Sequence, residues 1–529
     1  MENTPGPRAG RKEWTALGVL MLPLLLVSMD VSVLYFAIPY ISRDLEPSAT
    51  QQLWILDMYG FVLAGLLITM GALGDRIGRR VLVLGGAAVF GAASVVAAYA
   101  HSADLLIAAR ALLGLGGAAL MPSTLALIRN LFRDGKQRGR AVGLWTAVMT
   151  TGISLGPVVS GLLLEHFWWG SVFLINLPAM VLLLVLVPFL VPEFRAAQPG
   201  RFDLPSAALS LATLLPVVHG IKELARHGYE PMPVLGIAAG LLLGLVLGRR
   251  QKRLAHPMID LGLLGRRAFG GPVLADLLAM FATVGMAVFL AQYLQSVLGM
   301  SPLEGALWST VPAVGVAVTA PAAAVLAQRV DRARVMGGGF LVSACGFLWL
   351  TQVRTDSALW FVLVGASVYA GGLVAAMALA NELALGAAPP ERAGSAAAVL
   401  ESGQELGGAL GMAILGSVGA AVYSRDMTGA LPAGVPDAGA VRETLGGATA
   451  VAARLPAGTA DTVLTAARDA FTRGMGSAAI GAAAVMAAAG VLSLVLLRGA
   501  AGTGHPGTEG STTGEHPEGA DNEPEPAVP

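Results

Sequence analysis

Apolar residues along this chain gather in long runs of helical length, separated by short polar stretches, and strand-like alternation is not the dominant pattern. A hydrocarbon core roughly 30 Å thick needs about 20 apolar residues to cross. Fourteen runs meet that requirement, near 14–40, 52–72, 81–100, 105–128, 140–164, 170–191, 204–221, 232–248, 270–298, 304–328, 335–353, 358–386, 394–423 and 474–498. The pattern predicts an all-α integral membrane protein. The first run follows a short polar leader and is too long, and too poor in small-residue cleavage sites, for a removable signal peptide. With the N-terminus inside, 24 Lys and Arg fall on inner segments and 9 on outer loops and their edges, which places both termini in the cytoplasm. Arg110 alone lies within a run.

Composition sharpens the class. Charged residues make up 13% of the chain and hydrophobic ones 55%, where a soluble domain carries about 25% charged. The net charge of zero leaves no footprint for nucleic acid. The single cysteine, Cys345, excludes disulfides within the chain. The excess of Arg over Lys, with abundant Ala, Gly and Val, fits a GC-rich bacterial genome. No phosphate-cradling Gly-x-x-x-x-Gly-Lys-Ser/Thr loop and no Cys/His metal spacing occurs, so neither an ATP-driven pump nor a metalloenzyme is expected. His505 and His516 are isolated in a Gly-, Pro- and acid-rich tail that cannot bury a core, and that tail is expected to be disordered.

A few runs carry acids. A carboxylate in hydrocarbon costs on the order of 3 kcal/mol, so such groups usually serve ion or substrate movement. Asp30 lies about 24 Å along the first run, while Asp57 and Arg110 each lie about 8 Å in from the outer surface. An acid that alternates between an arginine and apolar surroundings would carry a proton; a static Asp30–Arg110 pair would only hold helices in register. Glu401 and Glu405, at i and i+4, share one helix face about 10 and 16 Å from the inner end, Glu405 near the midplane, and two like charges so close favour taking up a proton or a cation. Tyr35, Trp54, Tyr59, Trp145 and Trp308 could supply aromatic faces for a cation. Trp168 and Trp169 read as an interfacial belt. Asp276 and Glu382 are less readily assigned, the latter standing close to an inner helix end.

Four motifs occur in order. Gly71-Ala-Leu-Gly-Asp75-Arg76-Ile-Gly78-Arg79-Arg80 follows the second run, and a degenerate echo, Asp331-Arg332-Ala-Arg334, follows the tenth. The others are Met29-Asp30-Val-Ser-Val33 through Pro39, Arg110-Ala-Leu-Leu-Gly114-Leu-Gly116, and Gly152-Ile-Ser-Leu-Gly156-Pro157-Val-Val-Ser-Gly161. Basic turns in corresponding halves are what an internally duplicated transporter shows. The first motif resembles the inner-loop motif of the major facilitator superfamily, and the other three resemble those of its fourteen-span drug:proton antiporters. Pro47 to Tyr59, Glu165, Phe173 to Pro178 and Ala396 to Glu405 extend the resemblance to the quaternary-ammonium-compound multidrug efflux proteins. Two departures stand out. The run from Pro312 to Leu326 has no acid where some relatives do, and Leu400 precedes Glu401 where relatives can have adjacent acids.

The resemblance implies a major facilitator fold of two pseudo-symmetric six-helix halves plus two inserted helices. Expected boundaries are a leader at 1–13, a first half at 14–191, the insert at 192–269, a second half at 270–498 with a long outer loop at 424–472, and a tail at 499–529. It further implies a monomer in the bacterial cytoplasmic membrane, exporting lipophilic cationic drugs in exchange for protons, with no cofactor beyond the proton gradient. Proton coupling would fall to Asp30, Arg110 and Glu405. Substrate binding would fall to Asp57, Glu401, Glu405, Trp54, Tyr59, Tyr35 and Trp308. The conformational gate would comprise Gly71, Asp75, Arg76, Gly78, Arg79 and Arg80 together with Gly152, Gly156, Pro157 and Gly161. A dedicated exporter of one natural product is the nearest alternative; a nutrient symporter or a membrane scaffold fits less well.

Overall fold

Helices form where the apolar runs predict them, and polar residues set their starts. Ser48, Ser102 and Asp134 each accept a backbone N–H in the first turn of the helix they precede. The computed structural model describes residues 9–496 apart from 133, 196–202, 228–229, 255–260, 388–392 and 433. The side chains of some further helical residues, Asp75 among them, lie outside the described set, as do His505, His516 and the tail.

In order the helices are α1 Arg11–Leu45, α2 Ala49–Ile77, α3 Arg79–Ala98, α4 Ala103–Leu131, α5 Gly135–His166, α6 Ser171–Leu174, α7 Asn176–Leu190, α8 Leu204–His227, α9 Pro231–Arg253, α10 Leu261–Leu264, α11 Arg267–Gln292, α12 Pro302–Trp308, α13 Val311–Arg329, α14 Arg332–Leu350, α15 Leu359–Ala387, α16 Ala393–Ala430, α17 Ala438–Glu443, α18 Leu445–Ala452 and α19 Ala457–Leu496. Among the described residues no strand occurs. Among the described residues, eleven helices are long and apolar enough to cross a membrane, or twelve if bent α5 counts as one span. Long α2 and α13 fill two further predicted runs.

Several predicted runs turn out to be broken or extended. The sixth is split at Ile175, between α6 and α7, just ahead of Pro178. The tenth is split at Ser309–Thr310, where Pro312 restarts the helix as α13. The ninth ends in a π-helical turn, Tyr293–Val297. The thirteenth and fourteenth continue past their apolar stretches as α16 and α19, and Arg473 on α19 bonds Asp426 on α16 at 2.6 Å across this extension. The loop read at 424–472 is therefore largely helical, with α17 and α18 folded across its top.

Two apolar cores organise the molecule. One is built from α1 to α7 and takes in Val288, Ala291, Ala306 and Met412; the other is built from α11 to α19. Helices α8 and α9 pack on each other. Only α8 reaches the seam, where Val218 joins Phe61, Ala409 and Ala413. Polar contacts join the two halves on the α17–α18 face. Glu443 accepts the Ala49 amide at 3.2 Å, Arg454 meets Glu46 at 3.3 Å, and Ser301 donates to Glu165 at 2.8 Å. These contacts tie the halves together on this hairpin face, opposite the face carrying Gly71 to Arg80.

Candidate functional site

Asp30 on α1 and Arg110 on α4 form a fully buried ion pair. The guanidinium is held on further sides: its Nε donates to the Ile55 carbonyl at 3.0 Å, and it stands over the Tyr59 ring at 4.7 Å from the centroid. Tyr59 in turn donates to the Val27 carbonyl at 3.1 Å. Arg supplies a rigid planar fork suited to such multiple contacts. Three helices, α1, α2 and α4, are fixed together at this point.

Asp57, one turn away on α2, does not stand free as a carboxylate awaiting substrate. Lys222 of α8 meets it at 2.8 Å, both side chains being wholly buried. The ammonium also sits 3.9 Å from the centre of the Trp54 ring, a cation–π arrangement worth about 2 kcal/mol when desolvated. Apolar run length alone ends the seventh run at 221 and leaves Lys222 in the outer loop. The helix instead runs on to His227, burying the lysine. A signal was available in the chain's four lysines, of which this one adjoins an apolar run.

The second half supplies acids of a different character. Glu401 and Glu405 are half-buried on α16. They interact with each other, and Glu405 interacts electrostatically with Tyr35 and Tyr59 across the seam. Asp276 accepts from Gln404, which also approaches Asn381 at 3.5 Å. None of these three acids has a basic partner among the described residues. Among those residues, no cluster of His, Cys, Asp and Glu has the arrangement of a metal site.

The expected gate residues fall in two places. On α5, a Cβ at Gly152 or Gly156 would collide with Ser28, Ser32 and backbone carbonyls of α1, while one at Gly161 would lie 2.7 Å from the Leu303 Cα of α12. The stripe thus joins α5 to α1 along its length and to the second half at its end. Ser32 donates to the Ile153 carbonyl at 2.8 Å and Ser160 to the Val33 carbonyl at 2.7 Å. The helix bends by 43° just before Pro157. At the α2–α3 turn, Gly78 has a φ of 113° that side chains rarely adopt. Glu193 packs against that glycine, accepts the Arg80 amide at 3.0 Å and lies 3.7 Å from its guanidinium. Arg79 donates its amide to the Phe194 carbonyl at 3.0 Å. Glu193 was not anticipated, because nothing local ties it to a turn more than 100 residues earlier. Gly71 approaches Pro122 of α4, and Arg76 is exposed.

Some aromatics belong elsewhere. Trp308 is 40% exposed at the end of α12, and no contact joins it to the buried charges; the break after it turns it away from the expected span. Trp145 is buried and approaches the Thr124 hydroxyl at 3.4 Å, a packing position. Trp168 is exposed as a belt residue would be, but Trp169 is buried and donates to Asp44 at 2.6 Å. Glu382 pairs with Arg332 at 3.2 Å on the surface, more than half exposed.

The sequence profile of the Major Facilitator Superfamily matches residues 20–264 and 273–435. The chain is 43% identical over 503 residues to the multidrug efflux pump LfrA of Mycolicibacterium smegmatis, covering 94% of this chain and 99% of that protein. It is 36% identical over 466 residues to the methyl viologen resistance protein SmvA of Salmonella typhimurium, covering 87% and 93%. A crystal structure of a bacterial homolog of the human lysosomal transporter Spinster, inward-facing and unoccupied, superposes with a TM-score of 0.65 at 18% identity, covering 93% of this chain and 98% of that one. Transmembrane helices in two packed sets, buried acids at their seam and this profile together show that the chain belongs to the Major Facilitator Superfamily, as a multi-pass membrane efflux transporter and not an enzyme.

Proposed function

We propose that the protein is a proton-coupled antiporter that exports lipophilic cationic drugs across the bacterial cytoplasmic membrane, with both termini in the cytoplasm. The observation that carries this reading is the set Glu401, Glu405 and Asp276, buried or half-buried acids with no basic partner among the described residues. Such groups are expensive until a proton or a cation neutralises them, and that mutual exclusion is what exchange requires. Glu405 is within electrostatic reach of Tyr35 and Tyr59 of the first half, so opening either face of the seam would change the surroundings of that carboxylate. Each ligand selects the state that binds it better. The names of the relatives point the same way, since methyl viologen is itself an organic dication. The proton gradient is the only energy source the reading needs. Twelve helices would form the two moving halves, with α8 and α9 inserted between them.

Everted membrane vesicles with an imposed pH gradient test the proposal. Ethidium, a monovalent lipophilic cation, should accumulate when the lumen is acidic and be released when an ionophore collapses the gradient. Accumulation indifferent to the gradient would refute proton coupling. A panel of neutral and cationic compounds in which one neutral compound alone is moved would favour a dedicated exporter. In a Cys345→Ser background, His101→Cys should react with an impermeant thiol reagent from outside the cell and Arg266→Cys only after the membrane is opened.

A further inference from the structure

Lys222 occupies a site shaped for someone else's charge. A carboxylate at 2.8 Å and an indole face at 3.9 Å, both buried, are the two groups that an organic cation needs in a dry pocket. We infer that Lys222 is a tethered competitor for the Asp57–Trp54 cation site, holding it while no cation is bound and swinging aside when one docks. This rests on the proposal above that the transported substrates are cations.

Three observations support displacement. The ammonium has one carboxylate and one ring, whereas the Arg110 guanidinium is anchored to a carboxylate, a carbonyl and a ring. Lysine carries a compact charge on a flexible four-carbon stem, which a guanidinium fork lacks. A cavity of about 30 Å³ adjoins Lys222, lined by Thr50, Ser417, Ser424 and Glu443. Its walls offer hydroxyls and a carboxylate to a displaced ammonium, and the Ser417 hydroxyl makes no hydrogen bond within the protein. The lysine therefore has a second polar position within reach of its stem. Asp57 keeps a counter-ion throughout, so the exchange never leaves a bare charge buried. On this account the inserted helix α8 sets how strongly a cation must bind before it is accepted, making Lys222 a specificity-determining residue.

Ethidium binding to the purified full-length transporter, followed by fluorescence, tests this. If lysine holds the site about nine-tenths of the time, removing it should tighten binding about tenfold. Lys222→Met should show that gain, Lys222→Gln a smaller gain in the same direction, and Lys222→Arg binding no tighter than wild type. Asp57→Asn in the Lys222→Met background should erase the gain. Ethidium affinity that is unchanged or weaker in both neutral variants, with wild-type melting and elution behaviour in either of them, would overturn the inference. Should Lys222→Met fail to fold, Lys222→Gln carries the same test. A wild-type protein that binds no ethidium would instead overturn the cation reading, and the lysine competitor with it.

Discussion

The two halves treat buried acid differently. In the first, each acid within a span has a cation: Asp30 has Arg110 and Asp57 has Lys222. In the second, among the described residues, Asp276, Glu401 and Glu405 have at best an amide, from Gln404. A paired carboxylate is a junction, costing roughly 3–5 kcal/mol if one member is lost. An unpaired one is a vacancy for charge. The contrast suggests a division of labour in which the first half supplies a braced frame and the second offers the exchangeable sites. Lys222 qualifies the division, since its pair can open without stranding either charge.

Breaking the frame should have the largest effect. Asp30→Asn leaves the Arg110 guanidinium buried without its carboxylate, and gradient-driven efflux of every substrate is expected to vanish while ethidium binding persists in the purified protein. Efflux of even one compound at the wild-type rate would show that Asp30 is dispensable to coupling and would direct attention to Asp276.

Altering the vacancies should be more selective. Glu401→Gln and Glu405→Gln remove charge and keep shape, so cationic substrates should lose about tenfold in transport efficiency, or about 1.4 kcal/mol, while neutral ones change little. Equal losses for both classes would mean that these residues do not act through charge. The seam itself gives the next effect. Gly161→Ala would place a methyl against α12, and overpacking of this kind costs about 1–3 kcal/mol. Only the state in which α5 meets α12 should pay it, so turnover falls. Unchanged turnover would remove α5–α12 contact from the cycle.

The spans and the glycine stripe were legible from sequence because both are local: apolar run length and residue size suffice to predict them. The partnerships were not. Lys222 stands in the polar stretch His219-Gly-Ile-Lys222-Glu223, which looks like the edge of a membrane, and only the continued helix shows otherwise. Its match with Asp57 is made across 165 residues by packing of α8 against α2. The same holds for Glu193, which is brought to Gly78 by the return of the chain after α7. Conversely, Trp308 had the right residue type and the right depth and still missed the site, because a helix break redirects it. The extension of α16 and α19 escaped notice for a simpler reason: its charges pair between helices, so apolar run length understates helix length.

A pair outside the membrane provides the smallest expected effect and a control. Asp203 takes hydrogen bonds from Arg250 at 2.7 Å and from Ser206, tying the start of α8 to the end of α9. Partial burial alone would raise its pKa, but these bonds and the guanidinium charge outweigh that and hold it below the usual carboxylate value. Its contribution to stability is present above the unfolded pKa of about 3.9 and is lost as pH falls through the lower folded value. Asp203→Asn should therefore lower the melting temperature slightly at neutral pH, with the difference from wild type shrinking below about pH 4. A gap that persists in acid would mean that the amide perturbs packing and not charge.

Proton release on drug binding tests the central claim most directly. Ethidium added to purified transporter in weakly buffered solution near neutral pH should liberate protons in proportion to the sites filled. The release should be reduced in Glu401→Gln and in Glu405→Gln. Saturable ethidium binding that releases no proton from the wild-type protein would contradict the account.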